Sequence, residues 1–395
     1  MVQYKIEDVD EGMVVGQSVF DENGKLLVAA GFCLEDKHIA LLKKKGYASI
    51  MINVEGTEDI EAKSIISQHV RQEFTATLSK STQGIENIVG KAQENKKKIA
   101  DIILNDKKQI NDIIGKSGAL QIVNKVIDEI LAEPWAVVNL EMMQKADNTL
   151  YTHVINVTLV SLCVGCKYHF SQKELRQLGL GVINYDIGML AIPKQILDKE
   201  TELTPREKDT LMKHTIYGHM MLSDIPAIPP TSSIVALSHH EHQDGSGQPQ
   251  GLKGENRPPI KDVKKGKMIH RFAEIVAVAD RYEMLTYGRK HFAKKLPPEQ
   301  VIIKLIDMKK TKLNFEILKT LLSIVPVYPV GMRVRVTDTP IPELLGSYGV
   351  VARTNPDRLF EPVIILIESK HKKRLPKPVM LDFSKHKGFS VELVG

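Results

Sequence analysis

The sequence predicts a multidomain protein: a central all-α domain flanked by a small N-terminal α+β module and a C-terminal β-rich domain. Three observations predict this. The 395 residues exceed the usual length of one domain, apolar residues recur with a helical period in the middle, and β-branched alternation appears at the end. Hydrophobic and charged contents of 43% and 26% are typical of a globular protein. The predicted boundaries are 1–60, 61–135, 136–324 and 325–395.

Residues 1–60 combine strand and helix patterns. GMVVGQSVF and KLLVAAG lie on either side of Asn23-Gly24, a dipeptide that favours a tight hairpin turn. LEDKHIALLKKKG is amphipathic and is followed by Gly46, which predicts a helix ending in a left-handed glycine. YASIMINV predicts a further strand. We interpret this α+β unit as a regulatory module.

Residues 61–135 have a helical pattern rich in Lys, Asp, Asn and Gln. One face carries five isoleucines: Ile99, Ile103, Ile110, Ile113 and Ile114. Such a stripe is more often core than partner surface, but the length and polarity of the segment also leave a homodimer open. We therefore predict a helical linker or dimerisation segment.

The remaining two regions also have distinct patterns. Residues 136–324 are helical, and Thr204, Pro205 and Glu207 form a capping box that fixes one helix start. From residue 325 onwards, YPVGMRVRV, GSYGVVART and FEPVIILIES alternate β-branched residues between Gly and Pro breaks. This pattern predicts a small β-sheet.

The net charge of +6 leaves nucleic acid open as a partner. However, the lysine clusters at 96–98, 264–267 and 370–374 lack interleaved aromatic residues, so we interpret them as solvated faces and nucleic acid as an unlikely partner. No apolar stretch approaches the ~18 residues that span a bilayer, and the first residues do not resemble a secretion signal. We expect a cytoplasmic protein with no membrane span.

Two carboxylates lie inside apolar runs that read as helical: Asp186 in INYDIGML and Asp280 in EIVAVADRYEML. A carboxylate in such surroundings is costly unless it is paired or binds a metal. Histidines on separate predicted helical segments accompany them: His153, His214, His239 and His240. Imidazole and carboxylate together favour a first-row transition ion, with Fe or Mn ahead of Zn.

The order YTHVINV, YDIG, KHTIYG, HHEHQDGSGQP and VADRYEMLT resembles the HD-GYP family, bacterial metal-dependent phosphodiesterases that hydrolyse cyclic di-GMP. The resemblance covers about residues 136–324, and the HHE-x-x-DGSG-x-P string makes it specific. It implies that the central domain is an HD-type helical domain. It also implies a signal transduction protein that takes cyclic di-GMP or a related nucleotide and meets signalling protein partners.

The resemblance implies a dinuclear centre, in which Asp186 bridges two ions. It assigns the other ligands in two groups: His214, His239 and His240 for one ion, and His153 and Asp280 for the other. Two adjacent ions can deprotonate a bridging water and neutralise phosphoryl oxygens during in-line attack.

Three positions depart from the family pattern. Tyr185 replaces the histidine of the HD pair, Met189 replaces a lysine, and Gln248 replaces the tyrosine of GYP. A phenol with a pKa near 10 is a poor ligand for a divalent ion at neutral pH, whereas phenolate binds ferric iron. We therefore expect one or two Fe or Mn ions and reduced hydrolysis. The alternative is a non-catalytic nucleotide receptor or protein-interaction adaptor.

Further candidate residues follow the histidine pair His239-His240 in the sequence. Glu241 and Asp244 are predicted to orient water or the ligating histidines. Gly245 and Gly247, together with Gln248, are predicted to bring backbone amides and an amide side chain close to an anionic substrate. Arg289 is predicted either to contact phosphate or to form a salt bridge.

Overall fold

In the computed structural model the polypeptide forms an N-terminal module, a large helical region and a C-terminal sheet. The described residues are 1–20, 26–47, 49–60, 65–94, 98–132, 149–261, 267–309, 311–355, 358 and 360–394. Across these residues, every helix is too short or too polar to cross a lipid bilayer.

The N-terminal module contains short strands around one helix, as the sequence predicts. Its described elements are β1 (Val2–Lys5), β2 (Val14–Val15), β3 (Val19–Phe20), β4 (Leu26–Val28), α1 (Asp36–Lys44) and β5 (Ser49–Asn53). Strand β5 pairs antiparallel with β1 and β2, and β3 pairs with β4. Asn23 and Gly24 lie outside the described residues. Gly46 has a φ of 75° just beyond α1, which confirms the predicted helix end.

The middle of the chain is helical in all its described parts. Its helices are α2 (Gln68–Glu94), α3 (Ile99–Asn105), α4 (Lys107–Gly115), α5 (Ala119–Ala132), α6 (Thr149–Lys167), α7 (Gln172–Val182), α8 (Lys194–Leu197), α9 (Pro205–Met212), α10 (His214–Leu222), α11 (Pro230–Ser238), α12 (Arg271–Tyr287), α13 (Pro298–Asp307) and α14 (Phe315–Ile324). The predicted capping box at the start of α9 is confirmed, because Thr204 accepts a hydrogen bond from the Glu207 amide.

One hydrophobic core joins the predicted linker to the predicted central domain. Phe74 of α2 and Ile122 of α5 belong to the same core as Val157 of α6 and Ile275 of α12, and all four are buried. Burying a large apolar side chain stabilises a fold by about 1.5–3 kcal/mol. Helices α2 and α5 therefore complete the core of the helical domain, and the predicted boundary of 61–135 stays a prediction.

The isoleucine stripe of α3 and α4 is also internal. Ile103, Ile110 and Ile114 are buried in a second core together with Met221 and Leu222 of α10. Since α10 covers this face within one chain, the stripe is not the surface through which two copies meet. The homodimer itself stays a prediction.

The C-terminal region is one antiparallel sheet. Its strands are β6 (Arg333–Asp338), β7 (Tyr348–Arg353), β8 (Val363–Glu368), β9 (Arg374–Asp382) and β10 (Ser390–Leu393), in the spatial order β10-β6-β7-β8-β9. Strands β6, β7 and β8 confirm the sequence prediction, whereas β9 and β10 were not predicted. Strand β9 carries Pro376 and Pro378, and it lies at the sheet edge, where a residue without an amide proton is tolerated.

The two flanking modules pack on each other although the helical region separates them in sequence. The Tyr4 hydroxyl donates a hydrogen bond of 3.0 Å to Glu368, and Val350 of β7 belongs to the N-terminal core. Lys372 also lies 2.8 Å from Asp8. The sheet therefore supports the N-terminal module.

Candidate metal centre

The polar residues predicted from the motif meet inside the helical domain. They come from six places in the chain: His153 from α6, Tyr185 and Asp186 from the turn after α7, His214 from the start of α10, His239 and His240 from the end of α11, Asp280 from α12, and Arg289 from the turn after α12. Of these, His153, Tyr185, Asp186, His214, His239 and Asp280 are buried. The gathering of these residues follows the sequence prediction.

A short 3₁₀ turn, rather than the predicted helix, positions Asp186. Helix α7 ends at Val182, and Asp186 precedes the 3₁₀ turn Ile187–Ala191. Gly188 in this turn packs directly on α10, so that a Cβ at this position would overlap the His214 carbonyl oxygen. Because Gly188 has no side chain, the turn can pack close enough to α10 to place Asp186 near His214.

His214, His239 and His240, which we call the histidine cluster, offer ring nitrogens that all lie within 4.8 Å of one another. The Nε2 atoms of His214 and His239 are 3.3 Å apart, and Asp186 Oδ1 lies 3.5 and 3.7 Å from them. Backbone carbonyl oxygens of Leu211 and Ala236 accept hydrogen bonds from the Nδ1 atoms of these two rings, at 2.7 and 2.9 Å. We assign the proton of each ring to Nδ1, which leaves Nε2 with a lone pair.

This arrangement leaves several acceptor atoms without donors. Within the described part of the chain, His240 Nε2 and both Asp186 carboxylate oxygens are buried without a hydrogen-bond partner, although Asp186 Oδ2 forms an ion pair with Arg289. The lone pairs of His214 and His239 also face each other across 3.3 Å. Unsatisfied buried acceptors are costly, and one cation among them would satisfy them together. Three imidazoles and a carboxylate therefore fit one divalent transition ion.

The protonation states also suit metal binding. Burial lowers the pKa of His214 to about 4, and burial likewise lowers the pKa values of His239 and His240. The three rings are therefore neutral near pH 7, which is the form that binds metal.

The other side of Asp186 has a different character. Here His153, Tyr185, Asp280, Glu283 and Arg289, which we call the arginine cluster, are joined by close polar contacts. Arg289 Nη2 lies 2.6 Å from Asp186 Oδ2, and Arg289 Nη1 lies 2.8 Å from His153 Nε2. The Tyr185 hydroxyl donates to Asp280 at 2.8 Å, and His153 Nδ1 contacts Glu283.

The charge of His153 depends on opposing neighbours. Burial and the Arg289 guanidinium lower the pKa of His153, while Glu283 and Asp280 raise it more strongly, to about 9. His153 Nε2 lies 2.8 Å from Arg289 Nη1 and 3.0 Å from Asp280 Oδ1, while Nδ1 faces Glu283. The ring therefore lies between one guanidinium and two carboxylates.

The arginine cluster does not fit a second metal ion. His153 Nε2 and Asp186 Oδ2 both face Arg289, and Asp280 Oδ1 accepts from Tyr185. Burial and the nearby Asp186 charge raise the pKa of Tyr185 well above 10, so its phenol keeps its proton. The predicted roles of His153, Tyr185 and Asp280 as ligands of a second ion are therefore not supported by this arrangement.

The acidic residues after the histidine pair belong to the loop rather than to the cluster. Both Glu241 carboxylate oxygens accept backbone hydrogen bonds, from Gln250 at 2.7 Å and Leu252 at 2.8 Å. Asp244 accepts from the Ser246 amide at 2.8 Å. These contacts hold the loop in shape, and the predicted catalytic roles of the two carboxylates stay predictions.

The glycines of this loop serve close backbone packing. Gly245 has a φ of 83°, and a Cβ on Gly247 would overlap the backbone of Glu241 and His242. The Gln248 amide donates to the His240 carbonyl oxygen at 3.2 Å. The observed contacts of Gly245, Gly247 and Gln248 all lie within the loop. Their predicted substrate contacts therefore stay predictions.

Two residues of the centre were not predicted. Glu283 lies three positions after Asp280 on α12, and this spacing places both carboxylates on one helix face, so the sequence contained the signal. Phe292 stacks on His240 with ring centroids 5.9 Å apart and an 11° angle between planes. An aromatic residue in a turn gives no comparable signal.

A cleft of about 380 Å³ opens beside the centre. The residues that line it include Met189, Lys194, Arg289, Lys290 and Phe292. Lys290 is paired with Glu200 at 2.8 Å, whereas Lys194 has no ion-pair partner among the described residues. The volume lies within the range of small-molecule sites in proteins.

Comparison with known proteins agrees with this geometry. Residues 137–317 match the family described as HD domain. A cyclic di-GMP phosphodiesterase of Pseudomonas aeruginosa is 25% identical, over 69% of this chain and 61% of that protein. One from Thermotoga maritima is 30% identical, over 42% and 41% of the two chains. A 3′3′-cGAMP-specific phosphodiesterase of Vibrio cholerae is 28% identical, over 35% and 24%.

The chain thus spans at most about three fifths of the length of these relatives. The matched segment contains the histidine cluster, the arginine cluster and the loop between them. Residues 137–317 therefore match an HD domain, and the proteins to which this chain is similar include cyclic di-GMP phosphodiesterases.

Proposed function

We propose that this chain is a cyclic di-GMP signalling protein whose HD domain holds a divalent transition ion, Fe or Mn, and hydrolyses the nucleotide with reduced activity. One observation supports this most strongly. The ring nitrogens of His214, His239 and His240 lie within 4.8 Å of one another, and Asp186 Oδ1 lies 3.5 and 3.7 Å from His214 and His239. Only a cation satisfies such a set at once.

The cleft supports a nucleotide substrate. It adjoins the histidine cluster through Phe292, and Lys194 contributes a positive charge to its lining. The relatives are named for hydrolysis of cyclic di-GMP and of 3′3′-cGAMP. Both substrates are cyclic dinucleotides with two phosphodiesters, so Lys194 would attract a phosphate into the cleft.

The chemistry divides between the ion and the protein. A bound divalent ion would supply Lewis acidity at a phosphoryl oxygen and lower the pKa of a coordinated water. The backbone carbonyl oxygens behind His214 and His239 hold the two rings in the orientation that points Nε2 inward. Phe292 covers one face of His240 and so keeps bulk water from that side of the cluster.

Metal analysis combined with a hydrolysis assay tests the proposal. Anaerobically purified protein is measured for Fe, Mn and Zn by plasma mass spectrometry, then incubated with cyclic di-GMP, and the products are separated by chromatography. We expect a first-row metal and slow hydrolysis, both lost in His239→Ala. His242→Ala is the matched control, because its ring contacts Ser246 in the loop. Metal-free wild type, or hydrolysis unchanged in His239→Ala, would refute the proposal.

A second candidate function is a non-catalytic receptor for the same nucleotide. The observation that favours it is the ion pair of 2.6 Å between Arg289 and Asp186, which occupies one oxygen of the carboxylate expected to bridge two ions. Calorimetric titration with cyclic di-GMP separates the two functions. Binding without product would identify a receptor, whereas binding with slow product formation supports reduced hydrolysis.

A further inference from the structure

We propose that Arg289 is a built-in second cation: its guanidinium occupies the space between Asp186 and His153, so the centre holds one metal ion rather than two. This inference rests on the proposed metal site in the histidine cluster. It goes beyond that site, because it assigns to Arg289 the charge compensation that a second metal ion would otherwise provide.

The contacts of the guanidinium are those that a cation would make. Nη2 lies 2.6 Å from Asp186 Oδ2, and Nη1 lies 2.8 Å from His153 Nε2 and 3.9 Å from Asp280 Oδ1. Two carboxylates and an imidazole thus surround a planar positive group, for which arginine is better suited than lysine. A metal ion bound by the same three atoms would have to displace the guanidinium.

The backbone holds Arg289 in this place. Helix α12 ends at Tyr287, the following Gly288 has a φ of 81°, and the chain then makes a closed turn. In this turn the Arg289 amide donates to the Ala293 carbonyl oxygen at 2.8 Å, and the Ala293 amide donates back at 2.9 Å. The guanidinium carbon also lies 4.9 Å from the Phe292 ring centre. The side chain is only 11% exposed, so it has little freedom to leave.

Tyr185 completes the arrangement as a positioning residue. Its hydroxyl donates to Asp280 and lies 2.6 Å from His153 Nε2, and its ring is fully buried. A histidine at this position would offer a lone pair to a metal, whereas the phenol donates a hydrogen bond to Asp280. Tyr185 therefore satisfies the carboxylate that a second ion would otherwise bind.

Arg289 and a single divalent ion balance the charges of the three carboxylates of the centre. Asp186, Asp280 and Glu283 are three buried carboxylates, and Arg289 compensates one of them. One divalent ion in the histidine cluster compensates the other two. A second divalent ion added to Arg289 would leave an excess of positive charge in a buried site, which is unfavourable.

Counting metal ions in the full-length protein tests the inference. Wild type and variants are loaded with excess Mn²⁺ under anaerobic conditions and desalted, and manganese per chain is measured together with the electron paramagnetic resonance spectrum. The key variant is Arg289→Gln with Tyr185→His, which removes the guanidinium and adds a ligand. The matched control is Arg271→Gln, because Arg271 is also 11% exposed and is paired with Glu174 at 2.9 Å.

We expect one ion per chain with the spectrum of isolated Mn²⁺ in wild type and in the control. The double variant should bind two ions and show an exchange-coupled spectrum. Two coupled ions in wild type would overturn the inference and leave the proposed function intact. Zero ions in wild type would overturn the proposed metal site and this inference with it. If the double variant does not fold, the wild-type count still decides.

Discussion

The two sides of Asp186 carry similar residue types, but they differ in how many of their polar atoms have partners within the chain. On one side, the histidine cluster leaves Asp186 Oδ1 and His240 Nε2 unpaired within the described chain. On the other side, His153 and Asp280 meet Arg289 and Tyr185. The difference teaches that imidazoles and carboxylates do not by themselves define a metal site. What decides is whether the chain supplies its own cation and proton donors.

The largest expected effect comes from removing the internal cation. Arg289→Ala leaves Asp186 and Asp280 uncompensated, and breaking a buried pair in this way costs about 3–5 kcal/mol. The free energy of unfolding, measured in urea on metal-free protein, should fall by this amount and partly recover when Mn²⁺ is added. Arg271→Ala should cost less, because its partner Glu174 is 31% exposed. Equal losses of stability in both variants would show that Arg289 contributes no more than a partly exposed ion pair, and would contradict its role as an internal cation.

The next effect concerns the histidine cluster. A metal at one hundred times its dissociation constant stabilises the folded state by about 2.7 kcal/mol. Wild type should gain this stability with Mn²⁺, while His239→Ala with His240→Ala should gain none, because two of the four predicted ligands are absent. Thermal unfolding with and without Mn²⁺ measures the gain. A full gain in the double variant would place the ion elsewhere, and His242→Ala serves as the control.

A smaller effect is expected where the 3₁₀ turn meets α10. Gly188→Ala adds a Cβ that overlaps the His214 carbonyl oxygen, and overpacking of this kind costs about 1–3 kcal/mol. The displaced His214 should also weaken Mn²⁺ binding. Gly115→Ala is the control, since its Cβ would lie 3.6 Å from Ala227. Unchanged stability and Mn²⁺ affinity in Gly188→Ala would contradict the close packing.

The smallest effect on metal binding is expected from the tyrosine hydroxyl. Tyr185→Phe removes the donor to Asp280, and a hydrogen bond to a charged group contributes about 1.5–3 kcal/mol. Mn²⁺ content should not change, because the phenol is not a ligand in this account. Tyr168→Phe removes a hydroxyl that donates to the Glu316 carbonyl oxygen, outside the centre, and provides the comparison. Loss of metal in Tyr185→Phe, or of a phenolate-to-iron colour, would make Tyr185 a ligand.

The sequence predicted the gathering of the site because its signals are local. A carboxylate in an apolar run, such as Asp280, must find a partner, and histidines on separate helices can meet only in the interior. The same reasoning succeeded for β6, β7 and β8, whose β-branched alternation is confirmed. In these cases, the chemistry of a short segment restricts its surroundings.

The sequence could not predict how the partners pair. Arg289 lies in a turn, and only the closed geometry after Gly288 directs its guanidinium at Asp186. The 3₁₀ turn at Ile187–Ala191 likewise depends on contact with α10, which a run of apolar residues does not reveal. Strand β9 was not predicted, because its prolines are acceptable only at a sheet edge.

Anomalous diffraction from crystals grown with Mn²⁺ tests the central claim most directly. The account predicts one anomalous peak per chain, among His214, His239, His240 and Asp186, with the Arg289 guanidinium in density between Asp186 and His153. A second peak between His153 and Asp280, with Arg289 turned away, would contradict it.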